Sequence, residues 1–139
     1  MSEKIKILDL FAGVGGLSLG FEMIVDSSGK QIFELYRAVE IDKYACETLK
    51  NRYGEEKLIP GDITKLNIAN RIIHECKNKV DLIVGGIPCQ SFSLLGPRSG
   101  FGKKIDKFKK DLRDNLYEHF SDIVCEIKPK IIVIENVKG

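Results

Sequence analysis

The sequence predicts an α/β fold, a doubly wound parallel sheet of Rossmann-like type with strand order 3-2-1-4-5. Three observations carry this. Short apolar runs recur between turn signals, stretches with helical apolar spacing separate them, and the first run closes in a glycine-rich turn. Strands alternating with helices imply parallel pairing through crossovers, and in such sheets ligands bind beyond the carboxyl ends of the strands, where the order switches.

The first strand is Ile5 to Leu10, ended by Phe11-Ala12-Gly13-Val14-Gly15-Gly16. Leu17, Phe21, Ile24 and Val25 then recur at helical spacing up to Gly29, a stop signal. Phe33 to Ile41 reads as the second strand, with Asp42 placed to cap a helix over Lys43 to Tyr53. A short third strand is expected around Lys57 to Ile59, and Gly61-Asp62-Ile63-Thr64 leads into a helix with Leu66, Ala69, Ile72, Ile73 and Cys76 on one side. Asp81 to Gly86 and Lys130 to Glu135 are the fourth and fifth strands. Between them lie an irregular segment and a helix, Asp111 to Ile127, with Leu112, Leu116, Phe120, Ile123 and Ile127 along its buried stripe. The last apolar strand stands near Gly139, and the unpaired edge this leaves implies a complementing chain or second half.

With 139 residues, 43% hydrophobic and 30% charged, the chain suits one globular core. A formal charge of +2 does not by itself argue for nucleic acid. Cys46, Cys76, Cys89 and Cys125 form no C-x-x-C pair, which argues against a zinc site and a secreted disulfide framework and favours a reducing, cytoplasmic setting. No apolar stretch approaches the roughly 20 residues of a membrane span, and no targeting segment is read.

The glycine turn lets backbone approach a ligand and aims helix N–H groups at it, but it departs from a dinucleotide fingerprint, since Ser18 stands where Gly or Ala is wanted. Glu40, ending the second strand, is either a solvated strand-end charge or a carboxylate for two ribose hydroxyls. Asp62 either accepts from an adenine amino group or caps a helix, a role Thr64 could also fill. Gly85-Gly86-Ile87-Pro88-Cys89-Gln90-Ser91-Phe92-Ser93 sets a cysteine just beyond the fourth strand, at the switch point. A nucleophilic Cys89 needs neighbours that favour its thiolate. Cys46, Cys76 and Cys125 fall in or at the end of helices, where cysteine acts as a small hydrophobe. Glu135-Asn136-Val137 ends the fifth strand. Neighbouring strands lie roughly 5 Å apart, so Glu135 and Cys89 could face one planar ring, with a buried glutamate as proton donor; the alternative is a glutamate at a strand-to-turn transition. From Arg98 to Arg113 seven basic residues face two acidic ones, either a solvated loop or a phosphate-binding one.

In this order and position the motifs resemble the cytosine-C5 DNA methyltransferase family over nearly the whole chain. The resemblance implies an S-adenosylmethionine-dependent methyltransferase fold, present as strands 1–5, with residues 1–139 as the cofactor-binding, nucleophile-bearing part of a catalytic domain and no target-recognition domain. Phe11, Ala12, Gly13, Gly15 and Gly16 look like the cofactor loop, Glu40 and Ile41 the ribose contact, and Asp62 and Ile63 the adenine contact. Pro88 and Leu116 are implied at the same ligand. Cys89 and Glu135 are implied as catalytic, and Gln90, Ser93, Asn136 and Val137 as substrate-side residues. The implied reaction is methyl transfer from S-adenosyl-L-methionine to C5 of a cytosine flipped out of double-stranded DNA, within a restriction-modification system and together with a complementing polypeptide.

Arg113-Asp114 stands where the family usually has Arg-Gly, and Ile87 where an aromatic or proline is commoner. Two rival readings are a transfer-RNA cytosine methyltransferase of similar architecture and a non-catalytic adenosyl-binding remnant. A nicotinamide dehydrogenase fits poorly, because the glycine pattern fails and Pro88-Cys89-Gln90 would have no role.

Overall fold

The computed structural model describes residues 3–88 and 116–136. Five parallel strands, β1 (Ile5–Leu10), β2 (Phe33–Glu40), β3 (Leu58–Pro60), β4 (Leu82–Gly86) and β5 (Ile131–Glu135), form one sheet in the order β3-β2-β1-β4-β5. The expected order is the observed one. Its switch point lies between β1 and β4, which pair Ile7 with Leu82 through Leu10 with Gly85.

Alternation along the strands sends side chains to two cores. On one face Leu8, Leu10, Val39, Ile59 and Ile83 pack against α3 (Leu66–Cys76) and a helix over residues 116–127, here α4, through Ile72, Cys76, Phe120, Ile123 and Ile127. On the other face Ile7, Leu82 and Val84 meet Leu17 and Phe21 of α1 (Gly16–Glu22), while Leu35, Ala38 and Leu58 meet Leu49 of α2 (Lys43–Tyr53). Helices thus cover both faces, as a parallel sheet of continuous apolar strands requires. Asp42 caps α2, accepting from the N–H groups of Tyr44 and Ala45 at 3.0 and 2.9 Å.

Three local expectations are corrected. The first helix ends at Glu22, not near Gly29. The Ile24 N–H bonds back to Phe21 in a tighter turn, Asp26 accepts the N–H groups of Ser28 and Lys30, and Val25 bridges antiparallel to Gln31, so local turn bonds outcompete the helical ladder. Leu66 is exposed at the first position of α3 rather than part of its buried side. β3 is Leu58–Pro60, set one residue later than expected by a 3₁₀ turn over Glu55–Lys57. Leu112 and the start of the helix expected at Asp111 lie outside the described residues.

Candidate cofactor cleft and active-site edge

The carboxyl ends of β1, β2, β3 and β4 converge on a cavity of about 290 Å³, near the lower bound of roughly 300–1,000 Å³ common for ligand sites. It is lined by Phe11, Glu40, Ile41, Asp62, Ile63, Pro88 and Leu116, all expected at a ligand, and by Val39, Gly61 and Thr64, which are not among the expected contacts. Its wall is mainly apolar, with the carboxylates of Glu40 and Asp62 as the charged groups among the described residues.

The loop after β1 is held in an unusual shape. Phe11 has φ 61°, rare for a residue with a side chain, and Gly13 and Gly15 have φ 55° and 84°. At Gly15 a Cβ would also come within 2.9 Å of Leu49 Cδ2, so both backbone conformation and close packing on α2 require glycine there. The shape is fastened by backbone bonds, Ala12 N–H to Val39 O at 3.0 Å and Gly15 N–H to Ala12 O at 2.8 Å. Ala12 is buried against Leu35, Ala38 and Leu49, so it packs beneath the loop, and Gly13, Gly15 and Gly16 shape the loop without lining the cavity.

Glu40 accepts three backbone N–H groups: Gly13 on Oε2 at 2.6 Å, and Ile41 and Asp42 on Oε1 at 2.8 Å each. Asp62 accepts the Thr64 N–H at 2.9 Å and so builds a turn before α3; it does not cap that helix, whose N-cap position is Lys65. Gly61 donates to Glu40 O at 2.8 Å, and its φ of 151° and closeness to Ile68 favour glycine there; a glycine at a strand end is the sequence-level signal that marks it.

Beneath the loop Asp9 is buried, 1% exposed, and among the described residues neither carboxyl oxygen has a hydrogen-bond partner. Burial pushes its pKa up to about 6. The Ser18 hydroxyl and N–H oppose that rise without meeting hydrogen-bond geometry, and the Glu40 charge adds to it.

On the other side of the switch point, β4 and β5 pair Gly86 with Glu135. Glu135 is exposed, with Oε2 3.7 Å from where a Cβ on Gly86 would lie, so the burial expected of it is not supplied by the described residues. The Asn136 amide donates to the Tyr117 hydroxyl on α4. Cys89, Gln90, Ser93 and Val137 lie outside the described residues, as does the basic segment from Arg98 to Arg113. Cys89 follows three positions after Gly86 in the chain. Among the described residues no helix is long and apolar enough to cross a membrane.

A profile of the C-5 cytosine-specific DNA methylase family matches residues 5–139. The chain belongs to that family. Among individual relatives it is 39% identical over 138 residues to the type II methyltransferase M.Sau96I of Staphylococcus aureus, covering 99% of this chain and 28% of that one. It is 35% identical over 133 residues to M.Eco47II of Escherichia coli, covering 96% and 27%. This methylase-family chain therefore spans little more than a quarter of these relatives' length. Among solved structures, a mutant of DNMT2 from Spodoptera frugiperda superposes with TM-score 0.60 at 28% identity, over 98% of this chain and 36% of that one. A short chain dehydrogenase/reductase from Saccharomyces cerevisiae, YIR035C, gives TM-score 0.64 at 16% identity, over 94% and 52%; that likeness is of fold alone.

Proposed function

We propose that the chain is the cofactor-binding, nucleophile-bearing part of an enzyme that methylates C5 of cytosine in double-stranded DNA, within a restriction-modification system of the cytoplasm. The observation that carries this is the cavity itself. Its lining draws together Phe11, Glu40, Asp62, Ile63 and Pro88 from four strand ends, and the next residue in the chain is Cys89. The type II methyltransferases to which it is similar support the same reading.

The cavity suits S-adenosylmethionine chemically. Phe11, Ile63, Pro88 and Leu116 offer apolar contact to a purine, Asp62 an acceptor for an amino group and Glu40 an acceptor for ribose hydroxyls. Bound there, the cofactor would supply an electrophilic methyl group. The chain's own residues prepare the base. The Cys89 thiolate adds to ring carbon C6, the ring's electron pair moves to N3, and Glu135 supplies or shares the proton there, leaving C5 nucleophilic. The ring face is reachable only once the cytosine leaves the duplex, and Lys and Arg residues between Arg98 and Arg113 would neutralise phosphates while it is held.

Target recognition and closure belong to a complementing polypeptide. The exposed apolar residues of β5 and the exposed Glu135 support this, because a proton donor in this chemistry works best out of water. Calorimetric titration with S-adenosylhomocysteine tests the cofactor half: saturable binding, weakened by Asp62→Ala and by Phe11→Ala, is expected. A folded chain that binds nothing would sink it. For the substrate half, the chain is co-expressed with the remaining part of M.Sau96I and challenged with 5-fluorocytosine DNA or transfer RNA. Trapping on RNA alone would replace the DNA reading.

A further inference from the structure

We infer that Glu40 is a positioning residue that builds the cleft before any ligand arrives. This rests on the adenosyl-binding reading above, but it goes beyond a contact to ribose. The Glu40 side chain ties two loops together, accepting from Gly13 in the loop after β1 and from Ile41 and Asp42 in the turn before α2. Its carbonyl oxygen ties a third, accepting from the Gly61 N–H at 2.8 Å at the exit of β3, and also from the Cys46 thiol at 3.3 Å. Phe11, Ile41, Gly61 and Asp62, which line the cavity, are all members of these loops or next to the tied groups.

The energetics favour this role. A carboxylate offers about four acceptor positions, and three are taken by backbone N–H groups, bonds that are stronger than neutral ones because the acceptor is charged. The Gly13 bond, at 2.6 Å, is the shortest of them, and it lies two residues from Phe11, whose left-handed backbone must be over-determined by its surroundings to persist. Strand pairing fixes Glu40 from behind, with its backbone in register with Pro60 of β3. The fixed carboxylate thereby sets the loop that carries Phe11 on one wall of the cavity, while the Glu40 backbone carbonyl sets Gly61 and Asp62 on another, so that little ordering remains to be done on binding.

The test uses amide hydrogen exchange and NMR on the full chain without ligand, then binding of two probes: S-adenosylhomocysteine, and adenine, which has no ribose. In Glu40→Gln the Gly13 amide should exchange about ten-fold or more faster and its proton resonance move upfield, while the core amides of Leu8 and Ile83 keep their protection. Adenine affinity should fall in step with S-adenosylhomocysteine affinity. Unchanged Gly13 protection, or a loss confined to the ribose-bearing probe, would overturn the inference and leave Glu40 as a ribose contact. Glu40→Asp serves if the glutamine variant does not fold: one methylene shorter and still charged, it should release Gly13 while retaining the turn at Ile41 and Asp42. Should neither probe bind even the unmodified chain, the adenosyl reading fails, and Gly13 exchange alone still decides the clamp.

Discussion

The two sides of the switch point differ in how far they satisfy their own needs. On the β1–β2–β3 side the strand ends are fastened to one another: Glu40, Ala12, Gly15 and Gly61 place their polar groups in hydrogen bonds, and the flanking strands are buried on both faces. On the β4–β5 side β4 is buried from Leu82 to Gly85, yet Ile131, Ile132 and Ile134 of β5 are 53%, 46% and 49% exposed, on both faces of the strand, and Glu135 stands in solvent. A run such as Ile-Ile-Val-Ile has the composition of a strand buried on both sides. The side proposed to bind cofactor is thus fastened by its own residues, whereas the side proposed for chemistry is shaped for cover that the described residues do not provide. Binding and catalysis should accordingly be separable by experiment.

The sharpest separation is at Cys89. Cys89→Ser should abolish covalent trapping on 5-fluorocytosine DNA in the complemented enzyme, a loss of at least about a thousand-fold, because the serine hydroxyl is far less nucleophilic than a thiolate. Affinity of the isolated chain for S-adenosylhomocysteine should stay within about two-fold. A parallel fall in both would mean that the two sides are one site.

Ile83 gives the next largest effect. It is fully buried in β4, at the centre of the core shared with α3 and α4, so Ile83→Ala should cost about 2–5 kcal/mol in denaturant unfolding. A cost under about 1 kcal/mol would show that β4 is no better packed than β5 and would erase the contrast.

How much of this contrast could be read from the amino-acid sequence depends on which interactions made it. Strand order and both cores were legible, because apolar runs such as Ile5–Leu10 and Leu82–Gly86 announce buried parallel strands through periodicity alone. The cavity lining was mostly legible too, since a ligand at the switch point must touch the residues ending each strand. Periodicity failed where side chains bond to nearby backbone: Ile24 and Val25 kept helical spacing, but the Asp26 turn ended α1 first. It failed again at Glu40, because nothing in its position announces that a carboxylate accepts from Gly13, 27 residues away in the chain. Asp9 was hidden inside an apolar run, and only the packing of α1 with Ser18 against β1 shows that its charge is buried.

Asp9 supplies a prediction about the β1–β2–β3 side. Its carboxyl sits at about 6 in the fold against an ordinary 3.8, so the folded state holds its proton more tightly than the unfolded one. That difference favours the fold fully below about pH 4 and is lost as pH climbs through 6, amounting to something on the order of 3 kcal/mol at roughly 1.4 kcal/mol per pH unit. Urea unfolding between pH 4 and 8 should therefore show stability falling across that window in the natural chain, after allowance for other groups, and a flatter profile in Asp9→Asn. Identical slopes would mean that Asp9 is solvated or paired in solution.

The smallest expected effect is at Ile132, and it bears most directly on the comparison. Ile132 pairs in register with Ile83, points to the same face of the sheet, and differs from it chiefly in exposure. In the isolated chain Ile132→Ala removes atoms that are already half in water, so unfolding should change by about 1 kcal/mol or less. When the complementing part of M.Sau96I is present, the same substitution should weaken assembly by about five- to ten-fold, as expected for methylenes that become buried only on association. Two neighbouring isoleucines on one face would then report different events, Ile83 folding and Ile132 assembly. If Ile132→Ala leaves assembly untouched, β5 is not the surface that a complementing polypeptide covers, and the proposal of such a partner loses the support of these exposed isoleucines.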